Sequence, residues 1–376
     1  MMKTDLTIIE EMKLKVGNNL EMGILNHNNR RILLYTHFDL DGLGTIILLN
    51  QFSNIELEYK IFPRDANECI NDIEKWNEYT DIIFTDLSVS DEVASIISNF
   101  KFTNPNINII LLDHHESSIY LNRHEWCFVR PHDLDNDIVM SGTWLLYLYL
   151  QQAFEISLHF SNSYIHEFAR RVAYYDTFYF KREASKALYE NDEPEDLCLL
   201  WNSIDKNEFI EQITDNIKHS IILNKENLIT IKTIKKIIEK ECWKQYYNTR
   251  ICTIDGKVVA FFYCESYISQ VAAFIYEKFP VVDYVCTVNM NKNTVSLRTR
   301  KDMNLSKEIA IPNGGGGHPQ ACGFTIDGMG KKVLEELIVP TLKTKSNIMD
   351  QIGDILKVAE FVDDEKNVLL EKYLDK

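Results

Sequence analysis

Residues 31–44, RILLYTHFDLDGLG, decide how the rest of the chain is read. Arg31 to Thr36 is a short apolar run of the kind that forms a buried strand. It ends in His37, Asp39 and Asp41, and after Gly42 a second apolar run, Leu43 to Leu49, has helical character. Three potential metal ligands therefore stand on a strand-to-helix loop, where open α/β sheets bind ligands outside the carboxyl ends of their strands. Taken alone, Asp41-Gly42 is equally consistent with ordinary turn chemistry. The pattern recurs, however. Asp81 to Asp86 (DIIFTD) is another apolar run closing on a carboxylate, and Asn108 to His115 (NIILLDHH) is a third, closing on Asp-His-His. Strands that each deliver Asp or His at their C-terminal ends line those side chains along one sheet edge, and that is how a divalent-cation site is assembled.

Composition bounds what can use such a site. The chain has 376 residues, enough for two or three domains, with 45% hydrophobic and 26% charged residues, a soluble and globular balance. No apolar run approaches the ~18 residues of a membrane span. The N-terminal MMKTDLTIIEEMKLK carries acids where a secretion signal needs an apolar block, so a cytoplasmic protein is expected. Eight cysteines without a CxxC pair read as small buried hydrophobes in a reducing compartment. The net charge of −16 excludes an obvious basic track for long nucleic acid. Local basic groups (Arg170-Arg171, Lys181-Arg182, Arg298 with Arg300-Lys301) suffice for a handful of phosphates, which points to a small nucleotide or a very short oligonucleotide as partner.

Along the chain, Leu6 to Leu14 reads as a short helix or a strand pair, Ile55 to Ile61 as a half-exposed strand, Ile70 to Tyr79 and Asp91 to Phe100 as helices. Alternating strands and helices predict a doubly wound parallel sheet. Beyond His115 the pattern turns helical, with Trp144 to Leu150 a buried helix and Tyr164 to Tyr175 a second one running into Asp176. Residues 207–242 suggest one long helix or two. Strand signals return at Arg250 to Ile254, Val258 to Tyr263, Val281 to Val288 and Thr294 to Arg298, around a helix from Ser269 to Phe279. They predict a second α/β domain with its own sheet. Two more helices are expected after Gly330.

HFDLDG, FTDLS and Asp113-His114-His115, followed by GGGGHPQACGF (Gly314 to Phe324), resemble in order and spacing the DHH phosphoesterase family with its C-terminal DHH-associated domain. The resemblance spans roughly residues 30–328 and is nearest to the stand-alone oligoribonucleases (nanoRNases), since no sensor or membrane domain is appended. It implies a DHH catalytic domain over 1–190, a helical linker over 191–249, a smaller substrate-binding α/β domain over 250–330 and C-terminal helices over 331–376. It also implies two Mn²⁺ ions, with Mg²⁺ or Co²⁺ as substitutes, on His37, Asp39, Asp41, Asp86, His114 and Asp176. Asp133, Asp135 and Asp137 of PHDLDND rival Asp176; the long helix before Asp176 makes it the more rigid platform. Family II pyrophosphatases place their first His four residues before the first Asp, where this chain has Tyr35. His37 lies two before Asp39, the spacing of exonuclease-like members.

Coordination chemistry supports much of this set on its own terms. Mixed carboxylate and imidazole donors suit Mn²⁺ better than Ca²⁺. Asp86, on the middle of the three strand ends, is the candidate bridge between two ions. His115 is left to protonate a leaving group or neutralise phosphoryl charge, and Asp113 to orient a histidine from behind. Gly314, Gly315, Gly316 and Gly317 allow backbone N–H groups to approach an anion; the resemblance implies that this loop and the strand Ser296-Leu297-Arg298 hold the nucleotide, with Arg298 and His318 as phosphate donors. Cys322, where the family commonly has Ala, is expected to pack. The expected activity is hydrolysis of very short oligonucleotides to mononucleotides in a cleft between the domains, without long duplex or membrane partners; a homodimer is compatible. Alternatives are a cyclic-dinucleotide phosphodiesterase, a 3′-phosphoadenosine-5′-phosphate phosphatase and, from another class, a non-catalytic nucleotide-binding protein.

Overall fold

Strands buried on both faces need apolar residues at every position rather than at alternate ones, and the runs singled out above behave accordingly. β1 (Arg30–His37), β3 (Asp81–Thr85) and β4 (Asn108–Asp113) are buried almost throughout. With β2 (Ile55–Phe62) and β5 (Cys127–Val129) they form a five-stranded, all-parallel sheet in the order β2-β1-β3-β4-β5. In the computed structural model the described residues are 3–25, 30–133, 138–153, 164–177, 179, 193–326 and 328. Asp135, Asp137, Lys181-Arg182 and the helices expected over 331–376 lie outside them.

The sheet is covered on both sides. Leu33, Tyr35, Ile82, Phe84, Ile109 and Leu111 point to one face, where Trp76 of a 3₁₀ segment (Asn67–Glu78), Trp126, and Val93, Ala94 and Ile97 of α3 (Asp91–Thr103) pack on them. α1 (Lys3–Leu25), α2 (Leu40–Leu49) and α4 (Gly142–Ala153) pack against β1, β3 and β4 from the other. Every residue of α2 is buried, the expected state of a helix apolar all round. The N-terminal stretch read as a short helix or a strand pair is this helix α1, and the helix expected over Ile70 to Tyr79 is a 3₁₀ segment that ends at Glu78. Strand order reverses between β1 and β3, so a switch point opens at their carboxyl ends, the place where such sheets bind ligands. The far end of the sheet is fastened instead: the buried Asp81 pairs with Arg30 and accepts hydrogen bonds from Asn108 and Thr80.

α5 (Tyr164–Asp176), α6 (Glu193–Trp201) and α7 (Lys206–Lys218) complete the first compact unit, Met1–Lys232. The stretch read as one long helix or two is two, α7 and α8 (Lys225–Asn248), and the boundary with the second unit, Thr233–Lys376, falls inside α8.

The second unit holds a mixed six-stranded sheet, β10-β11-β9-β8-β7-β6. β6 (Arg250–Ile254), β7 (Lys257–Tyr263), β8 (Tyr284–Asn289), β9 (Thr294–Arg298), β10 (Gly316–His318) and β11 (Ala321–Thr325) pair antiparallel except β7 with β8. That parallel pair is joined across α9 (Ile268–Lys278). Val259, Val295, Leu297 and Cys322 share its core, so Cys322 does pack.

Candidate metal centre

Each strand end delivers its side chains through a specific local device. Asp39 caps α2, its Oδ1 accepting from the Gly42 N–H at 2.9 Å. A side chain at Gly42 would strike the His37 carbonyl oxygen at 2.0 Å, so the motif's turn tolerates only glycine there. Asp41 points to α4, accepting the N–H of Gly142 at 2.6 Å and of Thr143 at 2.9 Å, one per oxygen. A helix N-terminus is a natural seat for a carboxylate. Beneath the site, the hydroxyls of Thr36, Thr45 and Thr85 bond to one another and tie β1, α2 and β3 together. Asp86 sits just past β3 with φ of 55°, in the left-handed region, and Gly142 leaves the space that lets the chain lie against it.

These devices bring six of the sequence-expected residues to one place. His37 Nδ1 is 2.8 Å from Asp39 Oδ2 and 3.7 Å from Asp86 Oδ2. His114 Nε2 is 3.2 Å from Asp86 Oδ1, 3.5 Å from Asp176 Oδ2 and 3.7 Å from Asp41 Oδ2. Potential donor atoms fall into three groups with members within 4.8 Å of one another: His37, Asp39, Asp86; Asp41, His114, Asp176; and Asp86, Asp113, His114, His115. Asp86 and His114 each belong to two of them. Asp113 lies behind, its Oδ1 accepting from His115 Nδ1 at 2.8 Å and from the His114 N–H at 2.8 Å. His115 itself is half exposed and free to meet a ligand. Asp133 forms a backbone bridge to Ile138.

The electrostatics call for positive charge. Burial, then repulsion from Asp39 and Asp41, pushes the Asp86 carboxyl well above the usual range, and burial pushes Asp176 up to about 7. His37 is raised to about 10, first by its bond to Asp39. Burial opposes charge on His114, but Asp176 and Asp41 outweigh it and raise its pKa. Asp86 Oδ2 is buried without a hydrogen-bond partner, an arrangement that costs free energy unless something else satisfies it. Oxygen and imidazole donors, like-charge crowding and an orphaned buried carboxylate oxygen fit divalent cations.

The residues expected to hold substrate lie in the second unit. Gly314 is left-handed (φ 74°) and ends a 3₁₀ turn, and its N–H and that of Gly315 are taken by the carbonyls of Ile311 and Ala310. Gly316 begins β10, paired to β11, so the four glycines are half turn and half hairpin rather than an open loop. The amides of Gly314 and Gly315 are therefore already taken, and Gly316 and Gly317 lie in the β10–β11 ladder. Arg298 is half-buried, donating to the Leu297 carbonyl at 2.9 Å. His318 closes β10. Gly142 and Thr143 went unassigned in the sequence; their only signal is a helix start after Ser141.

Fold, strand-end motifs and site together resemble those of the DHH phosphoesterases, and the comparisons support that likeness. The chain is 28% identical to oligoribonuclease NrnB of Bacillus subtilis over 307 residues, 78% of this chain and 72% of that protein. Among solved structures it is similar to exonuclease RecJ bound to manganese (14% identity, 88% of this chain and 92% of that one, TM-score 0.45). It is likewise similar to an exopolyphosphatase-related protein of Bacteroides fragilis (14% identity, 88% and 94%, TM-score 0.46). No protein-family model matches the chain.

Proposed function

We propose that this chain is a two-metal phosphodiesterase that hydrolyses very short oligonucleotides to mononucleotides. The observation that carries the reading is Asp86: a buried carboxylate with an orphaned oxygen, shared between donor groups and ringed by Asp39, Asp41 and Asp176. His37, Asp39 and Asp86 would hold one ion, and Asp41, Asp86, His114 and Asp176 the other. Manganese is the preferred metal on donor chemistry, with Mg²⁺ or Co²⁺ as substitutes. Held by these residues, such ions would supply an activated water and stabilise charge developing on the phosphoryl oxygens.

The chain's own groups do the rest. Asp113 holds His115 by Nδ1, which fixes the ring and leaves Nε2 to carry a proton toward the leaving oxygen or to face a phosphoryl oxygen. The charge of −16 favours short substrates, and the likeness to an oligoribonuclease agrees. In the second unit, Arg298, His318 and the glycine stretch Gly314 to Gly317 are assigned to bind a phosphate.

The test is a substrate panel with the manganese-loaded chain: RNAs of graded length, short DNAs, cyclic dinucleotides and 3′-phosphoadenosine-5′-phosphate. Cleavage of di- and trinucleotides above all others is expected. Turnover confined to a cyclic dinucleotide or to phosphoadenosine phosphate replaces the reading with that activity, and turnover of none leaves a nucleotide-binding protein.

A further inference from the structure

Phe38 stands between His37 and Asp39, two members of the candidate centre, yet it is 47% exposed and takes no part in the apolar core. Its half-exposed ring lies beside the centre, where a ligand can reach it. Its partners are specific. Trp201, the last residue of α6, meets it edge-on with ring centroids 5.3 Å apart. Trp201 rests in turn against the fully buried Phe209 of α7 at 6.2 Å. Lys206, at the start of α7, holds its ammonium 5.8 Å from the centre of the Phe38 ring and has no carboxylate partner among the described residues. α6 reaches the centre independently of this pair, because Cys198 on it shares a hydrogen bond with Tyr175, the neighbour of Asp176.

Resting on the phosphodiesterase reading, we propose that Phe38 and Trp201 form a stacking platform for one base of the substrate, with Lys206 beside it for that nucleotide's phosphate. Phe38 is one residue from Asp39, so a base on its ring belongs to a nucleotide whose phosphate lies at the carboxylates. Aromatic stacking accepts any base, since every base has a π face. A lone cation helps an anion approach a cluster that repels it. The platform thus makes the enzyme select for the presence of a base and not for its identity.

Calorimetric binding of adenosine 5′-monophosphate and of ribose 5-phosphate to the manganese-loaded full chain tests this without turnover. Wild type should bind the nucleotide about 5- to 150-fold more tightly than the sugar phosphate, the range expected of one stacked base. Phe38→Ala and Phe38→Leu should erase the difference, Phe38→Tyr should keep it, and affinity for ribose 5-phosphate should not change in any of them. Equal affinity for both ligands in wild type overturns the platform. So does equal weakening of both ligands in Phe38→Ala, or a difference preserved in Phe38→Leu, which supplies bulk without a π face. Dinucleotide turnover on the same preparations separates the two readings. If no oligonucleotide is cleaved but the base preference still vanishes in Phe38→Ala, the oligonucleotide reading fails and the platform stands. If dinucleotides are cleaved and the preference survives Phe38→Ala, the platform fails alone.

Discussion

At Asp86 a left-handed backbone, a buried carboxylate and a neighbouring glycine coincide. A Cβ built on Gly142 would lie 2.6 Å from the Asp86 Cβ and 2.8 Å from its amide nitrogen, so the two positions are sterically one unit. Gly142→Ala should therefore displace Asp86, lose bound manganese, and destabilise the chain by about 1–3 kcal/mol, the usual penalty of overpacking. Metal analysis after gel filtration, with a urea titration, checks both. Gly316→Ala is the control, because its added methyl meets nothing within 4 Å and should shift stability by no more than about 0.5 kcal/mol. Equal stability loss in the two variants would show that the Gly142 contact is not special. Asp86 was legible in the sequence because a buried strand announces itself and the residue just after it is charged. The dependence of Asp41 on Gly142 and Thr143 was not, because a backbone amide a hundred residues away carries no residue-type signal.

Three loops converge at one end of the parallel sheet: those after β1 and β3 bring Asp39, Asp41 and Asp86, and that after β4 brings His114 and His115. Without cations the folded state must hold Asp39, Asp41, Asp86 and Asp176 together. Removing metal should lower the melting temperature, and manganese should restore it in proportion to RT ln(1 + [L]/Kd). The pH dependence should invert between the two forms. Asp86 and Asp176 have folded pKa values raised above their unfolded ones, the latter to about 7. Such groups stabilise the fold at low pH and lose that contribution as pH rises through the folded value. His37 and His114, also raised, act in the same direction. Asp39 and Asp113 are held below the carboxylate range and matter only at more acid pH. Between pH 6 and 8 the metal-free chain should therefore melt lower as pH rises. The manganese-loaded chain should melt higher, since ligands must shed protons to bind metal. Scanning calorimetry of both forms at pH 6, 7 and 8 decides it; parallel slopes would contradict a shared metal site. Elements of this sheet were readable because apolar runs of five or six residues ending in Asp or His have few alternatives. β5, three residues long, and β10, two-thirds glycine, fell below any periodic signal and form only because β4 and β11 offer them edges.

Across the whole chain, two kinds of anion site are proposed in two units, and charge decides which substrates reach them. Asp86→Ala should abolish metal content and turnover together, whereas Arg298→Ala and His318→Ala should keep the metal and weaken substrate binding. Loss of one charge-assisted phosphate contact costs about 1.5–3 kcal/mol, roughly 10- to 150-fold. If His318→Ala strips the metal, this division of labour is wrong. On this proposal the glycine hairpin and Arg298 would make one compact site, not a track along which a strand could be drawn. A net charge of −16 then acts on every nucleotide beyond the anchored ones. Each adds a phosphate without adding a contact, so repulsion grows with length, and it is screened over about 10 Å at 0.1 M salt. Proteins that hold long strands show the reverse, with affinity carried by many phosphate contacts and lost as salt is raised. Initial rates on RNAs of about two, three, five, ten and twenty-five nucleotides, each at low and high salt, separate these regimes. Efficiency should fall with length, and added salt should narrow the gap between the shortest and longest substrates by relieving repulsion on the long ones. Efficiency that is flat or rises with length, and collapses with salt, would mean that the surface holds strands after all and that the enzyme works as a processive exonuclease.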